Sequence, residues 1–326
     1  MSKTADFAHL IARVMEEVRE VEAVLEAEVA SQVELVTAVG RHTLRAGGKR
    51  LRPALAVLSA QATGLPLDLA RVRRLAASLE MVHMATLVHD DVIDHSSLRR
   101  GLPTAAAVFG NTASILSGDV FLAKSMAVLA DDGDLSVIRT VSHAVVDLAQ
   151  GEVRELEVRG DLDLALDDHY EILRLKTASF LRCCCEVGAL VAEAGPATLG
   201  ALGAFGENLG MAFQIADDLL DYAGDGAKTG KANGTDYREG CATLPLLLAL
   251  RGTHNREALL GGFGAGEAAD VSASLASIEA TGAYDEARRI ARAFANRAVD
   301  ALAPLPNSEE RDLLAAVCEF TVNREA

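Results

Sequence analysis

The chain has no tryptophan, and only 4% of its 326 residues are aromatic. A pocket walled with aromatic rings is therefore not on offer. Cationic side chains are also short, with 31 lysines and arginines against 47 aspartates and glutamates and a formal net charge of −16. That balance argues against a nucleic-acid binder, which needs a basic face. Five cysteines, three of them consecutive at Cys183, Cys184 and Cys185, suggest no disulfide framework. Adjacent helical positions point about 100° apart, so the run is also a poor metal-ligand set. The cysteines read as small buried hydrophobes in a reducing cytosol. No run of about 18 uncharged apolar residues occurs, and the amphipathic, charged N-terminal stretch is no signal peptide. The expectation is a cytoplasmic protein with no membrane anchor.

Strand signals are scarce too, and Asn233–Gly234 lies in a polar loop instead of between alternating segments. What the chain does have is helical periodicity almost throughout. "LIARVMEEVREVEAVL", "VELVTAVGRHTL", "VIRTVSHAVVDLAQGEV", "LGAFGENLGMAFQIADDLLDY" and "YDEARRIARAFANRAVDAL" all repeat apolar residues at i, i+3, i+4 and i+7. Breaks are expected at 47–48, 64–66, 96–103, 131–134, 160–167, 195–196, 225–241 and 261–266, where glycine, proline and aspartate cluster. No composition shift marks a linker, so residues 1–326 are expected to form one all-α domain of roughly ten or more helices.

One short acidic pattern occurs twice. "DDVID" holds Asp90, Asp91 and Asp94, and "DDLLD" holds Asp217, Asp218 and Asp221. Each follows a strongly apolar helical segment, so both would end a helix where the dipole disfavours carboxylates. Like charges at i, i+3 and i+4 repel by a few tenths of a kcal/mol per pair. Two such copies call for a positive partner. Clustered carboxylates are hard oxygen ligands that favour Mg²⁺, with Mn²⁺ as the alternative, and the second copy has no histidine or cysteine beside it for zinc. Because Mg²⁺ takes one or two carboxylates and completes its shell with phosphate oxygens and water, several ions around a diphosphate are expected.

Three basic clusters suit such an anion. "GGKRLRP" puts Lys49, Arg50 and Arg52 at a helix start, without the serine or threonine of a P-loop. Arg99 and Arg100 follow the first acidic motif directly. The loop "GAKTGKANGTDYREG" follows the second and reads as a closing lid.

In "GGKRLRP", "EMVHMATLVHDDVIDHSSLRRG", "LKTASF", "MAFQIADDLLDYAGD" and "GKANGTDYREGCATLPLLLAL", in that order, the chain resembles the trans-type isoprenyl diphosphate synthases, or polyprenyl synthetases. The resemblance spans about residues 47 to 250. It implies a single large helical bundle of the isoprenoid synthase type with a central apolar cavity, and a homodimer. It also implies condensation of isopentenyl diphosphate with an allylic diphosphate. Lys49, Arg52, His83 and Arg100 would serve isopentenyl diphosphate, while Arg99, Lys176, Thr177, Gln214 and Lys231 would serve the allylic diphosphate. Asp90, Asp94 and Asp217 would hold Mg²⁺, with Asp91, Asp218 and Asp221 in support. The catalytic set would then be Asp90, Asp91, Asp94, Lys176, Asp217 and Asp218. Two positions depart from many relatives, which carry lysine where Cys241 stands and glutamine where Met211 stands; neither removes a metal ligand.

The growing tail would run beneath the first acidic motif. In short-chain relatives a bulky aromatic one turn earlier acts as a floor; here Ala85 and Thr86 occupy that level. One helical turn is about 5.4 Å, roughly one isoprene unit, so an open level favours a product of about C30 to C50 from a farnesyl or geranylgeranyl primer. Val82, Leu79 and Met126 are candidates for the next floor. The alternatives are a geranylgeranyl diphosphate (C20) synthase, a class I terpene cyclase, opposed by "DDLLD" and the missing tryptophan, and a non-catalytic regulatory subunit, opposed by the retained aspartates and arginines.

Overall fold

The computed structural model describes residues 3–223, 233–253, 255–266 and 268–323, with side chains from residue 15 onward. Numbered in chain order, the helices are α1 (Lys3–Val29), α2 (Glu34–Arg45), α3 (Leu51–Ala62), α4 (Leu69–Ile93), α5 (Ala105–Phe109), α6 (Asn111–Asp132), α7 (Leu135–Val158) and α8 (Leu166–Leu173). A π-turn at Arg174–Ala178 leads into α9 (Ser179–Val191) and α10 (Pro196–Ala223). After these come α11 (Thr235–Arg238), α12 (Leu244–Gly252), α13 (Arg256–Leu260), α14 (Ser272–Ala280), α15 (Ala283–Ala301) and α16 (Glu309–Val322). The all-α expectation holds, and where they are described the expected breaks fall between helices or at their ends, with α11 inside the described part of the 225–241 segment.

Among the described residues the only sheet is a two-residue ladder, β1 (Leu98–Arg99) against β2 (Leu102–Pro103). Arg100 and Gly101 between them have φ of 53° and 76°, the two left-handed positions a tight hairpin needs. Strands this short carry no alternation, so the sequence showed only a helix break there.

Contacts divide the chain into two compact units. One comprises the chain up to His143 with Cys183–Leu202 and Pro304–Leu314; the other comprises Ala144–Arg182, Gly203–Ala303 and the chain from Ala315. The chain passes back and forth between them, which is why no linker shows in the sequence. In the first unit, Val18, Val21, Leu25 and Val29 form the buried stripe of α1, which packs on α3 and α4. Among the described residues α6 alone is long and apolar enough to cross a membrane, yet it packs along α4 and buries Ser114, Ser117, Gly118, Phe121 and Ser125. In the second unit, Leu173, Ala178, Met211, Ile215, Leu219 and Tyr222 build a core with α12, α14 and α15. Met211 is thus a core side chain, which accounts for an apolar residue at that position.

Candidate active site

In the first unit the site grows from the end of α4. Asp90 is half-buried and Asp94, one turn on, is exposed, while Asp91 is 4% exposed and turned the other way. Arg99 Nε donates to Asp91 Oδ1 at 2.7 Å. Asp91 therefore fixes an arginine, and the outward pair is Asp90 and Asp94. No basic residue lies in the last turn of α4, so carboxylates and helix dipole reinforce one another.

The basic side chains divide in the same way. Arg52 Nη1 lies 3.1 Å from His83 Nε2. A guanidinium only donates, so Nε2 accepts and the proton of His83 sits on Nδ1. Burial, followed by the charges of Arg52 and Arg100, holds the His83 pKa well below the usual imidazole value, so this ring is neutral. Its lone pair thus holds one Arg52 nitrogen. Arg100 donates from Nη1 to the Gly47 carbonyl. A Cβ on Gly48 would come 2.8 Å from that same nitrogen, so the second glycine leaves room for the arginine. Lys49 is exposed beside them. Arg50 is different: it is buried and spent on Glu22 and Glu80, at 2.9 Å each. His89, next to Asp90, reaches the Ile115 carbonyl at 3.1 Å, and a Cβ on Gly118 would lie 2.4 Å from its Nε2.

In the second unit the site forms where α10 passes the π-turn. Cβ atoms on Gly206 and Gly210 would lie 2.7 Å from the Leu181 carbonyl and 2.4 Å from Ala178 Cα, so bare backbone lets these elements meet. Across that contact Thr177 Oγ1 donates to Gln214 Oε1 at 2.7 Å, and Gln214 Nε2 donates to Asp218 Oδ1 at 2.8 Å. A Cβ on Gly151 of α7 would lie 2.8 Å from the backbone nitrogen of Lys176, so α7 too approaches closely. Lys176 Nζ then donates to Glu155, and to Glu152 at 3.2 Å. Burial pulls its pKa down, but the two glutamates outweigh burial and raise it above the usual lysine value.

The second aspartate motif repeats the logic of the first. Asp217 is exposed, Asp218 is buried and held, and no basic residue lies in the last turn of α10. Asp221 accepts the backbone N–H groups of Thr235 and Asp236, at 3.0 Å each, and so caps α11. Asp236, which the sequence reading missed, joins this acidic group, and burial plus Asp221 and Asp218 push its carboxyl well above the usual range. Cys241 lies near Glu155 and Asp236, and burial pushes its thiol up to about 12. The thiol supplies no cation. Lys231 falls outside the described residues.

Among the described residues no three carboxylates, imidazoles or thiols converge as a closed metal cage. Zinc needs such a cage, whereas Mg²⁺ accepts one or two carboxylates and completes its shell elsewhere. Oxygen donors at two helix ends with no basic residue in the last turn, and Asp218 Oδ2 buried and lacking a hydrogen bond, fit Mg²⁺ or Mn²⁺.

Burial also pushes the Asp218 carboxyl up to about 7; the Gln214 hydrogen bond opposes the rise, and Asp217 adds to it. An unfolded aspartate titrates near 4, so the stability this group contributes is complete below about pH 4 and is lost as pH rises through 7. In metal-free protein the loss is on the order of 4 kcal/mol. Asp218→Asn removes this slope. Urea melts in chelator at pH 5 and pH 8 are expected to show the variant's gain on the wild type to be clearly larger at pH 8 than at pH 5.

A model of the polyprenyl synthetase family matches residues 33–277. The chain belongs to that family. Over 309 residues it is 37% identical to the octaprenyl diphosphate synthase of Escherichia coli K12, covering 93% of this chain and 94% of that one. It is 36% identical over 298 residues to the all-trans-nonaprenyl-diphosphate synthase (geranyl-diphosphate specific) of Rhodobacter capsulatus, covering 91% of each. The crystal structure of a polyprenyl synthase from Caulobacter crescentus CB15, complexed with calcium and isoprenyl diphosphate, superposes with a TM-score of 0.91 at 36% identity, covering 97% of each chain. Family membership makes the chain a prenyltransferase and gives the helical fold its isoprenoid synthase type.

Proposed function

We propose that the enzyme condenses isopentenyl diphosphate with a farnesyl or geranylgeranyl primer and extends it to an all-trans polyprenyl diphosphate of about C30 to C50. The observation that carries this reading is the twice-repeated helix end in which the first aspartate faces outward while the second is buried and hydrogen-bonded. Lys49, Arg52 and Arg100 bind the isopentenyl diphosphate, with neutral His83 setting Arg52. Arg99, Lys176, Thr177 and Gln214, with Lys231, bind the allylic diphosphate. Asp90, Asp94 and Asp217 hold Mg²⁺. When bound, the metal supplies positive charge against the departing diphosphate.

Cleavage of the allylic C–O bond leaves an allyl cation and a diphosphate, and fixed Arg and Lys donors stabilise the anion as it forms. The alkene of isopentenyl diphosphate then forms the new C–C bond. The proton lost afterwards goes to the departed diphosphate, because His83, the histidine of the isopentenyl subsite, uses its lone pair on Arg52. Thr177, Gln214 and Asp218 keep the allylic donors in register, and Asp221 anchors the segment that follows Lys231 by capping α11. A homodimer is part of the proposal, and Ile115 and Leu116, exposed on α6, are the apolar surface that favours it.

The direct test is transfer of labelled isopentenyl units to farnesyl diphosphate with Mg²⁺, which chelation should abolish. Transfer that continues in chelator contradicts the metal role. Ala85 is 2% exposed and Thr86 half-buried, one turn before the first motif, and Val82 and Leu79 are buried deeper along α4. Ala85→Phe raises the floor, so mass analysis is expected to show products shortened toward farnesyl or geranylgeranyl length. An unchanged product length refutes the floor.

A further inference from the structure

Glu80 opens the "EMVH" segment and carries none of the diphosphate-binding or metal roles, yet it is a carboxylate 2% exposed, one turn before His83 on α4. Positions i and i+3 share a helix face, so Glu80 and His83 look toward the same neighbours. Its Oε1 accepts from Arg50 Nη1 at 2.9 Å, and its Oε2 has no hydrogen bond. A buried carboxylate oxygen left in this state is costly unless cations surround it. Here they do: Arg50, Arg52 and Arg100 all favour its ionised form against the burial that raises its pKa.

Arg50 explains why the carboxylate stays put. Its backbone is left-handed, with φ of 46° at the start of α3. Its Nε bonds Glu22 at 2.9 Å and its Nη2 bonds the Leu44 carbonyl at 3.0 Å. The arginine is thus a strut between α1, the end of α2 and α4. Meanwhile Arg52 and Arg100 repel one another, and burial disfavours both charges. Among the charges acting on Arg52, Glu80 is the strongest of those that support its ionisation.

Resting on the function proposed above, we infer that Glu80 is the positioning residue of the isopentenyl diphosphate subsite. Anchored by Arg50, it gathers Arg52 and Arg100 around a fixed counter-charge, so that both guanidiniums stand ready before the diphosphate arrives. Glu80 itself does not touch the substrate. A purely structural ion pair makes a different forecast: removing one buried partner lowers stability and does not single out one substrate.

The test is steady-state kinetics of Glu80→Gln in Mg²⁺, varying each substrate in turn. KM for isopentenyl diphosphate is expected to rise about tenfold or more, while KM for the allylic primer and kcat change less than about threefold. Glu80→Asp keeps the charge and is expected to recover part of the loss. Should Glu80→Gln fail to fold, Glu22→Gln reads the same effect from a half-exposed position, with a rise in the isopentenyl KM alone of about threefold. Equal changes in both KM values, or a lowered melting temperature with neither changed, overturn the inference. A wild type that transfers no prenyl group overturns the proposed function as well, so the two failures are separable.

Discussion

Asp90→Asn is expected to lower kcat by about a thousandfold while leaving isopentenyl diphosphate binding close to the wild-type value. Asparagine keeps the shape of aspartate but removes the negative charge that holds a divalent cation. That charge stands at a helix end with no basic residue in its last turn, where a cation is the natural partner. The developing diphosphate charge then loses part of its electrostatic stabilisation, and a thousandfold corresponds to about 4 kcal/mol in the barrier. The proposed isopentenyl subsite, of Lys49, Arg52, His83 and Arg100, uses none of the metal carboxylates, with His83 two turns earlier on α4, so its affinity is expected to be spared. Calorimetric titration with isopentenyl diphosphate beside steady-state turnover checks both halves. A variant retaining a tenth of wild-type kcat contradicts the metal assignment.

Gly210→Ala is expected to destabilise the protein by about 3 kcal/mol and to cut activity in whatever fraction folds. The added Cβ would stand 2.4 Å from Ala178 Cα and 2.9 Å from Ala178 Cβ. These are backbone and short-stem atoms, which cannot swing aside as a long side chain can. Relief requires α10 to move away from the π-turn, and that stretches the Thr177–Gln214 hydrogen bond of 2.7 Å. Gly200, on the same helix, has nothing within 4 Å of its added Cβ. Gly200→Ala is therefore expected to be neutral or to stabilise by up to about 1 kcal/mol, because alanine suits an exposed helix better than glycine. Chemical denaturation of both variants reads the contrast. Equal effects at the two positions contradict the close-packing account.

The helices were legible because alanine and leucine recur at 3.6-residue spacing over long segments. The aspartate motifs and the basic clusters were legible because their residues are close neighbours in sequence. What stayed hidden depends on which partner each side chain meets in the fold, near or far along the chain. "DDVID" and "DDLLD" do not say which aspartate turns inward; Arg99 decides that for Asp91, and Gln214, itself placed by Thr177, for Asp218. Arg50 stands in a run of cations, yet its partners lie 28 and 30 residues away on α1 and α4. The use of Asp221 as a helix cap depends on Thr235 and Asp236 returning to it. Glu152 and Glu155 had no signal of their own until the glycine at 151 allowed Lys176 to seat beside them. Short-range chemistry was readable, and its orientation came from the fold.

The most direct test of the central claim is the chain length of the product. The purified enzyme, given Mg²⁺, farnesyl diphosphate and excess isopentenyl diphosphate, is expected to yield a ladder ending at about C30 to C50 by mass spectrometry, consistent with the open level at Ala85. A ladder that stops at C20 contradicts the chain-length account while keeping the chemistry. No extension from any allylic primer contradicts the account as a whole.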